Sequence, residues 1–288
     1  MRRVVVTGGA GFVGRNLIAE LLRRYAEVEI TSLSRSEGMI ARLITHCSSS
    51  RLRIAMGDVR DAEIVREAIA GADTVIHLAA MKRVEFSEEH CCQAVTTNVV
   101  GTMNVLSAFS GDTFVLMSTD KAVEPTNCYG ATKFLAEKMV QAEGAKRAGQ
   151  ARFMIIRSGN ITGSTGSVLE IWKQQIARGN EITVTDPKMT RLFVSVDQVV
   201  ALIIAVLESG ENGKIYVTPR GEGVVLGDFA QEAIKLYGNE YTRMRIVGKR
   251  PGEKLHEKTH IADEANIIQG FERRVAVAIP EGAGTGAV

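Results

Sequence analysis

The residues best equipped for chemistry fall in one short stretch, Ser118 to Lys133. A hydroxyl (Thr119), a carboxylic acid (Asp120) and an amine (Lys121) are consecutive, and a phenol (Tyr129) and a second amine (Lys133) follow. Tyr129 and Lys133 stand at i and i+4, so on a helix they share a face. An ammonium beside a phenol favours the phenolate and lowers the tyrosine pKa toward neutrality, where it takes a proton from a substrate alcohol. That is the requirement for oxidising an alcohol. Asp120 and Lys121 add an acid and a base that simple alcohol oxidation does not use, so a further step is expected.

Positioning such a site calls for a cofactor cradle, and the N-terminus supplies one. A short apolar run, residues 3–7, reads as a buried parallel strand and leads into Gly8-x-x-Gly11-Phe12-Val13-Gly14, which opens a helical pattern reaching Arg24. The first glycine permits the tight turn, the second lets backbone approach a pyrophosphate, and the third allows helix and strand to pack closely. Where the second strand ends, the acid that would hold an adenosine ribose is replaced by Ser34 and Arg35. Serine and arginine suit a 2′-phosphate, so NADP is expected over NAD. Asp58, with Val59 beside it, is placed at the adenine, and Asp61 is a candidate helix cap. Ala79 and Ala80 leave room beside the cofactor, while His77 reads as a satisfied core histidine.

Strands are predicted at about 28–34, 53–56, 74–78, 113–117 and 152–156. Helical patterns lie between them, at 62–70, at 95–109 (with Val99, Met103, Leu106 and Phe109 on one side) and at 129–145. This alternation predicts an α/β fold, a Rossmann-type doubly wound parallel sheet. Residues 1–157 form the dinucleotide-binding domain. Residues 158–288 mix loops, helices at 168–178 and 196–207 and strands at 181–185 and 214–217, as a smaller substrate-covering lobe with elements returning to the main sheet. The final nine residues, 280–288, are expected to be a mobile tail. With 35 basic and 33 acidic residues and 5% aromatics, nothing points to nucleic acid or a charged membrane surface. No apolar run approaches the roughly 18 residues of a membrane span. The four cysteines form no C-x-x-C pair and have no histidine at a zinc spacing, so no metal is expected and a cytoplasmic protein with reduced thiols is.

Taken with the words His77-Leu-Ala-Ala-Met-Lys-Arg-Val, Thr97-Asn98-Val-Val-Gly101, Asn127-Cys-Tyr-Gly-Ala-Thr-Lys133, Thr185-Asp-Pro-Lys-Met-Thr-Arg191 and Arg250-Pro-Gly-Glu-Lys-Leu-His256-Glu, the chain resembles an extended short-chain dehydrogenase/reductase. More narrowly, it is similar to the inverting UDP-N-acetylglucosamine 4,6-dehydratases of polysaccharide biosynthesis. The resemblance implies a UDP-sugar substrate and a homo-oligomer. It implies that Tyr129, aided by Thr119 and Lys133, drives oxidation at C4, that Lys121 removes the C5 proton, and that Asp120 protonates the departing 6-hydroxyl. It further implies substrate contacts from Lys82, Asn160, Arg191, Arg250 and Glu253, and a structural role for Asn98 near the site. Lysine must be neutral to act as a base, so its pKa is expected to be depressed. A plain Asp120–Lys121 ion pair would remove that base. Two other readings stand beside this one: a UDP-hexose 4-epimerase, for which Asp120 and Lys121 would be idle, and a non-catalytic dinucleotide-sensing regulator, which would not need Tyr129 and Lys133.

Overall fold

A computed structural model describes residues 1–164, 166–218, 223–261, 264 and 267–268; the predicted tail lies outside the described residues. Six strands carry the first half: β1 (Arg3–Thr7), β2 (Glu29–Ser34), β3 (Leu52–Met56), β4 (Thr74–His77), β5 (Thr113–Thr119) and β6 (Arg152–Ser158). Two more, Ile215–Val217 and Ile267–Ile268, extend the same sheet beyond β6. Every pairing is parallel, in the order β3-β2-β1-β4-β5-β6 followed by the two late strands. The order reverses between β1 and β4, the switch point where ligands bind in such sheets. The fold class is the one expected.

Strands β1, β4, β5 and β6 are buried along nearly their whole length because helices cover both faces of the sheet there. On one side Val4, Val6, Ile76 and Ile156 pack against Leu17, Ile18 and Leu21 of the Phe12–Arg24 helix and Ile203 and Val206 of the Val196–Ser209 helix. On the other, Val5, Val75, Phe114 and Ile155 meet Val65, Ile69, Val105, Ala136 and Val140. A separate apolar cluster around Trp172, Ile182, Val184 and Leu226 forms the lobe. It joins the Val168–Gly179 and Leu226–Tyr237 helices to a small parallel pair, Glu181–Val184 with Arg243–Ile246. Among the described residues no helix is long and apolar enough to cross a membrane.

The expected single helix at 95–109 is broken into three pieces: Cys91–Val95, a π-helical turn at Thr96–Val100, and Gly101–Ala108. The wide turn changes which face points inward. Asn98 and Thr102 are buried, whereas Met103 is 49% exposed. An apolar count cannot find this, because the buried side chains are polar. Asn98 holds the Met81 backbone through both its amide atoms and donates to Thr132 Oγ1 at 2.9 Å. It thus fixes the 81–83 loop to the helix carrying Tyr129.

Candidate active site and cofactor cleft

A cavity of about 610 Å³ runs along the C-terminal edge of the sheet and under the lobe. Every catalytic, cofactor and substrate candidate named from the sequence lines it except Asp120, which has no exposed surface.

The cofactor end is built by the β1 turn. Gly8 has φ of +69°, and a Cβ there would lie 2.8 Å from the Ala79 nitrogen, so only glycine allows the turn and the close approach of the β4 end. Gly11 caps the Phe12–Arg24 helix without a side-chain bond, and no acid occupies the first turn. Its free N–H groups and dipole suit a pyrophosphate. These residues fit a dinucleotide. The expected NADP preference, however, is overturned. Arg35 is already paired with Asp58 at 3.2 Å, and Arg60 grips the same carboxylate at 2.8 Å. Burial opposes the charge on Asp58, but the hydrogen bonds from Arg60 and Arg35 hold its pKa down to about 2. Ser34 Oγ accepts from the Ala10 N–H at 3.0 Å. A neutralised arginine beside a permanent carboxylate is a poor 2′-phosphate site. Asp61 accepts from Glu63 and Ile64 N–H as a helix cap. His77 is buried between Thr7 Oγ1 (2.6 Å) and Thr102 Oγ1 (3.0 Å), and desolvation, with the Lys133 charge, takes its pKa down to about 3.

The reactive end is built where β5 gives way to a 3-10 turn, Asp120–Ala122, against the Cys128–Lys146 helix. Asn127 caps that helix by accepting from Gly130 N–H. A Cβ at residue 130 would fall 2.2 Å from the Lys121 carbonyl oxygen, so Gly130 is what lets the Tyr129 turn close on Lys121. Thr119 donates to Asp120 Oδ1 at 2.9 Å. Lys121 Nζ donates to Asp120 Oδ1 at 3.1 Å and Asn160 Oδ1 at 3.2 Å, and lies 3.7 Å from Glu257 Oε1. Asp120 Oδ2 has no hydrogen-bond partner among the described residues.

The electrostatics differ from the sequence expectation. Burial works to lower the Lys121 pKa, but the charges of Asp120 and Glu257 outweigh it and hold it above the ordinary value. Burial raises Tyr129, with Lys121 and Thr119 opposing and Asp120 adding to the rise. Lys133, by contrast, is pulled down to about 8 by burial, with Glu137 opposing. Of the charges around Tyr129, that of Lys121 opposes the rise.

The substrate candidates separate into two kinds. Lys82 and Asn160 face the cavity. Arg250 pairs with Glu85 at the rim, and Glu253 folds back to accept the Arg250 N–H at 3.0 Å. Arg191 is only 8% exposed and its Nη1 is directed to the carbonyls of Thr190, Lys254 and Leu255. Its guanidinium holds the 254–257 segment across the cavity. Glu257, which that segment delivers, was missed in the sequence because an acid outside the 118–133 stretch carries no spacing signal.

Sheet order, the glycine turn at the switch point and the Thr-Asp-Lys/Tyr-x-x-x-Lys wall define an extended short-chain dehydrogenase/reductase, related to nucleotide-sugar dehydratases and epimerases. The chain belongs to the polysaccharide biosynthesis protein family, whose model matches residues 4–278. It is 33% identical over 281 residues to the UDP-N-acetylglucosamine 4,6-dehydratase (inverting) of Campylobacter jejuni serotype O:23/36, covering 96% of this chain and 82% of the relative. It is 34% identical over 284 residues to the UDP-glucose 4-epimerase of Rickettsia prowazekii, covering 94% and 82%. The crystal structure of DesIV, a dTDP-glucose 4,6-dehydratase from Streptomyces venezuelae, superposes with a TM-score of 0.80 at 25% identity, covering 89% of this chain and 87% of that one. DesIV holds NAD, which with the Arg35–Asp58 pairing corrects the NADP expectation.

Proposed function

We propose that this protein is an NAD-dependent UDP-N-acetylglucosamine 4,6-dehydratase that inverts C5. The observation that carries it is the placing of Lys121 Nζ on the cavity wall, bonded to Asp120 and Asn160 and close enough to Tyr129 to act on its charge. An epimerase has no use for that acid and base. Residues 1–157 would bind the dinucleotide and residues 158–288 mainly the nucleotide sugar, the Gly8–Gly14 turn holding the pyrophosphate and Asp58 the adenosine. NAD, when bound, would accept hydride from C4, return it to C6, and bring a positive ring that favours the Tyr129 phenolate.

The chain's own residues do the proton chemistry. Tyr129 would take the 4-hydroxyl proton, with Thr119 hydrogen-bonded to the same oxygen and Lys133 holding the nicotinamide ribose. The resulting ketone acidifies the C5 proton, which Lys121 would remove while Asp120 protonates the leaving 6-hydroxyl; hydride return to C6 would then be completed by a solvent-exchanged proton added to C5 on the opposite face. The Asp120–Lys121 ion pair does not eliminate this base. Moving one proton from Nζ to Oδ1, which lie 3.1 Å apart, converts ammonium and carboxylate into the amine and carboxylic acid that the step needs. Exclusion of water by a bound sugar favours the uncharged form. Lys82, Asn160, Arg250 and Glu253 would contact the substrate, and Arg191 would set the segment that covers it. Val95, Met103 and Leu135, exposed on adjoining helices, support association with further copies of the chain.

The 34% identity to an epimerase keeps one rival reading in view. Incubation with UDP-N-acetylglucosamine in deuterated water separates them. Loss of one water with deuterium at an inverted C5 is expected. An unchanged mass with a new sugar would establish the epimerase, and no turnover would leave a dinucleotide-sensing regulator.

A further inference from the structure

Glu257 is the least satisfied acid in the cavity wall. Its side chain is only 3% exposed and Oε2 has no hydrogen-bond partner among the described residues. It stands between two amines, with Oε1 3.7 Å from Lys121 Nζ and Oε2 3.7 Å from Lys254 Nζ. Neither distance is a hydrogen bond. A carboxylate buried this way is destabilising unless its charge is matched, so its retention inside the pocket needs a reason.

Its place is fixed from several sides. Arg191 Nη1 donates to the Lys254 and Leu255 carbonyls, and Thr190 N–H to the Leu255 carbonyl. Thr190 Oγ1 and His256 Nδ1 lie 2.9 Å apart, and Lys254 Nζ also reaches the Val123 carbonyl next to the Asp120–Ala122 turn. The backbone thereby delivers Glu257 to Lys121 and keeps Lys254 behind it.

An ammonium has three N–H donors. Those of Lys121 are met by Asp120 at 3.1 Å, Asn160 at 3.2 Å and, loosely, Glu257 at 3.7 Å. Two are held and the third is steered by charge alone. We propose that Glu257 is a positioning residue for the Lys121 base: its carboxylate, partly neutralised by Lys254, orients the amine and sets the pH at which its proton is released. This rests on the dehydratase reading of the site. The groups that face Lys121 are Asp120, Glu257 and Tyr129, with Lys254 acting through Glu257.

The signs for two variants are opposite. Glu257→Gln removes an anion near the ammonium, so Lys121 more readily loses to solvent the proton it must pass to Asp120, and the descending limb of the pH–rate profile moves to lower pH. Lys254→Met removes the cation that offsets Glu257, so the same limb moves to higher pH. Each shift is expected to be about one pH unit or more, the usual effect of a charge at this range. Glu257→Asp keeps the charge and should return the limb toward its original position.

The experiment is the pH dependence of water loss from UDP-N-acetylglucosamine by the full chain and these three variants, with product mass as the readout. Opposite displacement of the limb in Glu257→Gln and Lys254→Met is the expected result. A purely structural role would lower the rate at every pH and leave the limb in place, which overturns the inference while the dehydratase reading stands. If the unaltered protein releases no water at any pH, that reading is overturned and the inference with it.

Discussion

Two buried clusters of charge flank the ends of β5 and β6, and they are built on opposite plans. Arg157 on β6 is a closed site. Its guanidinium makes two bonds to Glu137 (2.9 and 2.7 Å) and two to Glu264 (both 2.7 Å), and Ser118 also donates to Glu137. The Lys121 cluster at the end of β5 is open, with Asp120 Oδ2 and Glu257 Oε2 both left without a hydrogen bond. A fan of five donors can saturate flat carboxylates, which suits a strut. A single amine cannot, and its proton stays exchangeable. The first cluster ties the tyrosine helix and the C-terminal segment to the sheet; the second leaves two carboxylate oxygens open around the Lys121 amine.

The sharpest way to break this contrast is to remove the open cluster's amine. Lys121→Ala should reduce water loss by about 10²–10⁴-fold, the usual worth of a positioned base, while nucleotide binding measured by calorimetry persists. Full turnover would contradict the assignment. In the closed cluster the damage should fall on stability instead. Arg157→Met leaves Glu137 buried and unpaired and is expected to cost about 3–5 kcal/mol in urea denaturation. A loss below about 1 kcal/mol would show that the strut is ornamental.

A third buried group tests how far burial alone governs charge. Burial, with the Lys133 charge, takes the His77 pKa down to about 3 from the ordinary value of 6.5. Between those values the unfolded chain binds a proton that the folded one refuses, so this contribution is complete above pH 6.5 and is lost as pH falls toward 3. Folding stability should decline by about 1.4 kcal/mol per pH unit more steeply than in His77→Asn. Identical slopes would mean that the ring protonates in place. The smallest effect belongs to the surface. Arg35→Ala breaks an ion pair whose arginine side chain is 62% exposed, so NAD affinity should change by no more than about 1 kcal/mol. A larger loss would give Arg35 a direct hold on the dinucleotide.

Much of the framework was legible because it is local. The continuous apolar runs of β1 and β4, the 3.6-residue stripe of Leu17, Ile18 and Leu21, and the glycines at the strand-to-helix turn each depend on neighbours in sequence. The helices at Glu37–His46 and Val84–Glu89 went unread, as did the one at Leu226–Tyr237. The Val84–Glu89 helix is too short for a full period. The π-turn at Thr96–Val100 was misread because it buries Asn98 and Thr102 in place of apolar residues.

The amino-acid sequence by itself determined the parallel sheet, the cradle at Gly8 and the pairing of Tyr129 with Lys133 on one helical face, since period and spacing are properties of a chain segment. Only the tertiary structure decided the state of those groups. Arg35 meets Asp58 across two loops, Arg191 turns away to grip the backbone at 254–255, and Glu257 arrives beside Lys121 from 136 residues further along the chain. Charge and protonation depend on what surrounds a group in space, and residues remote in sequence supply most of those surroundings.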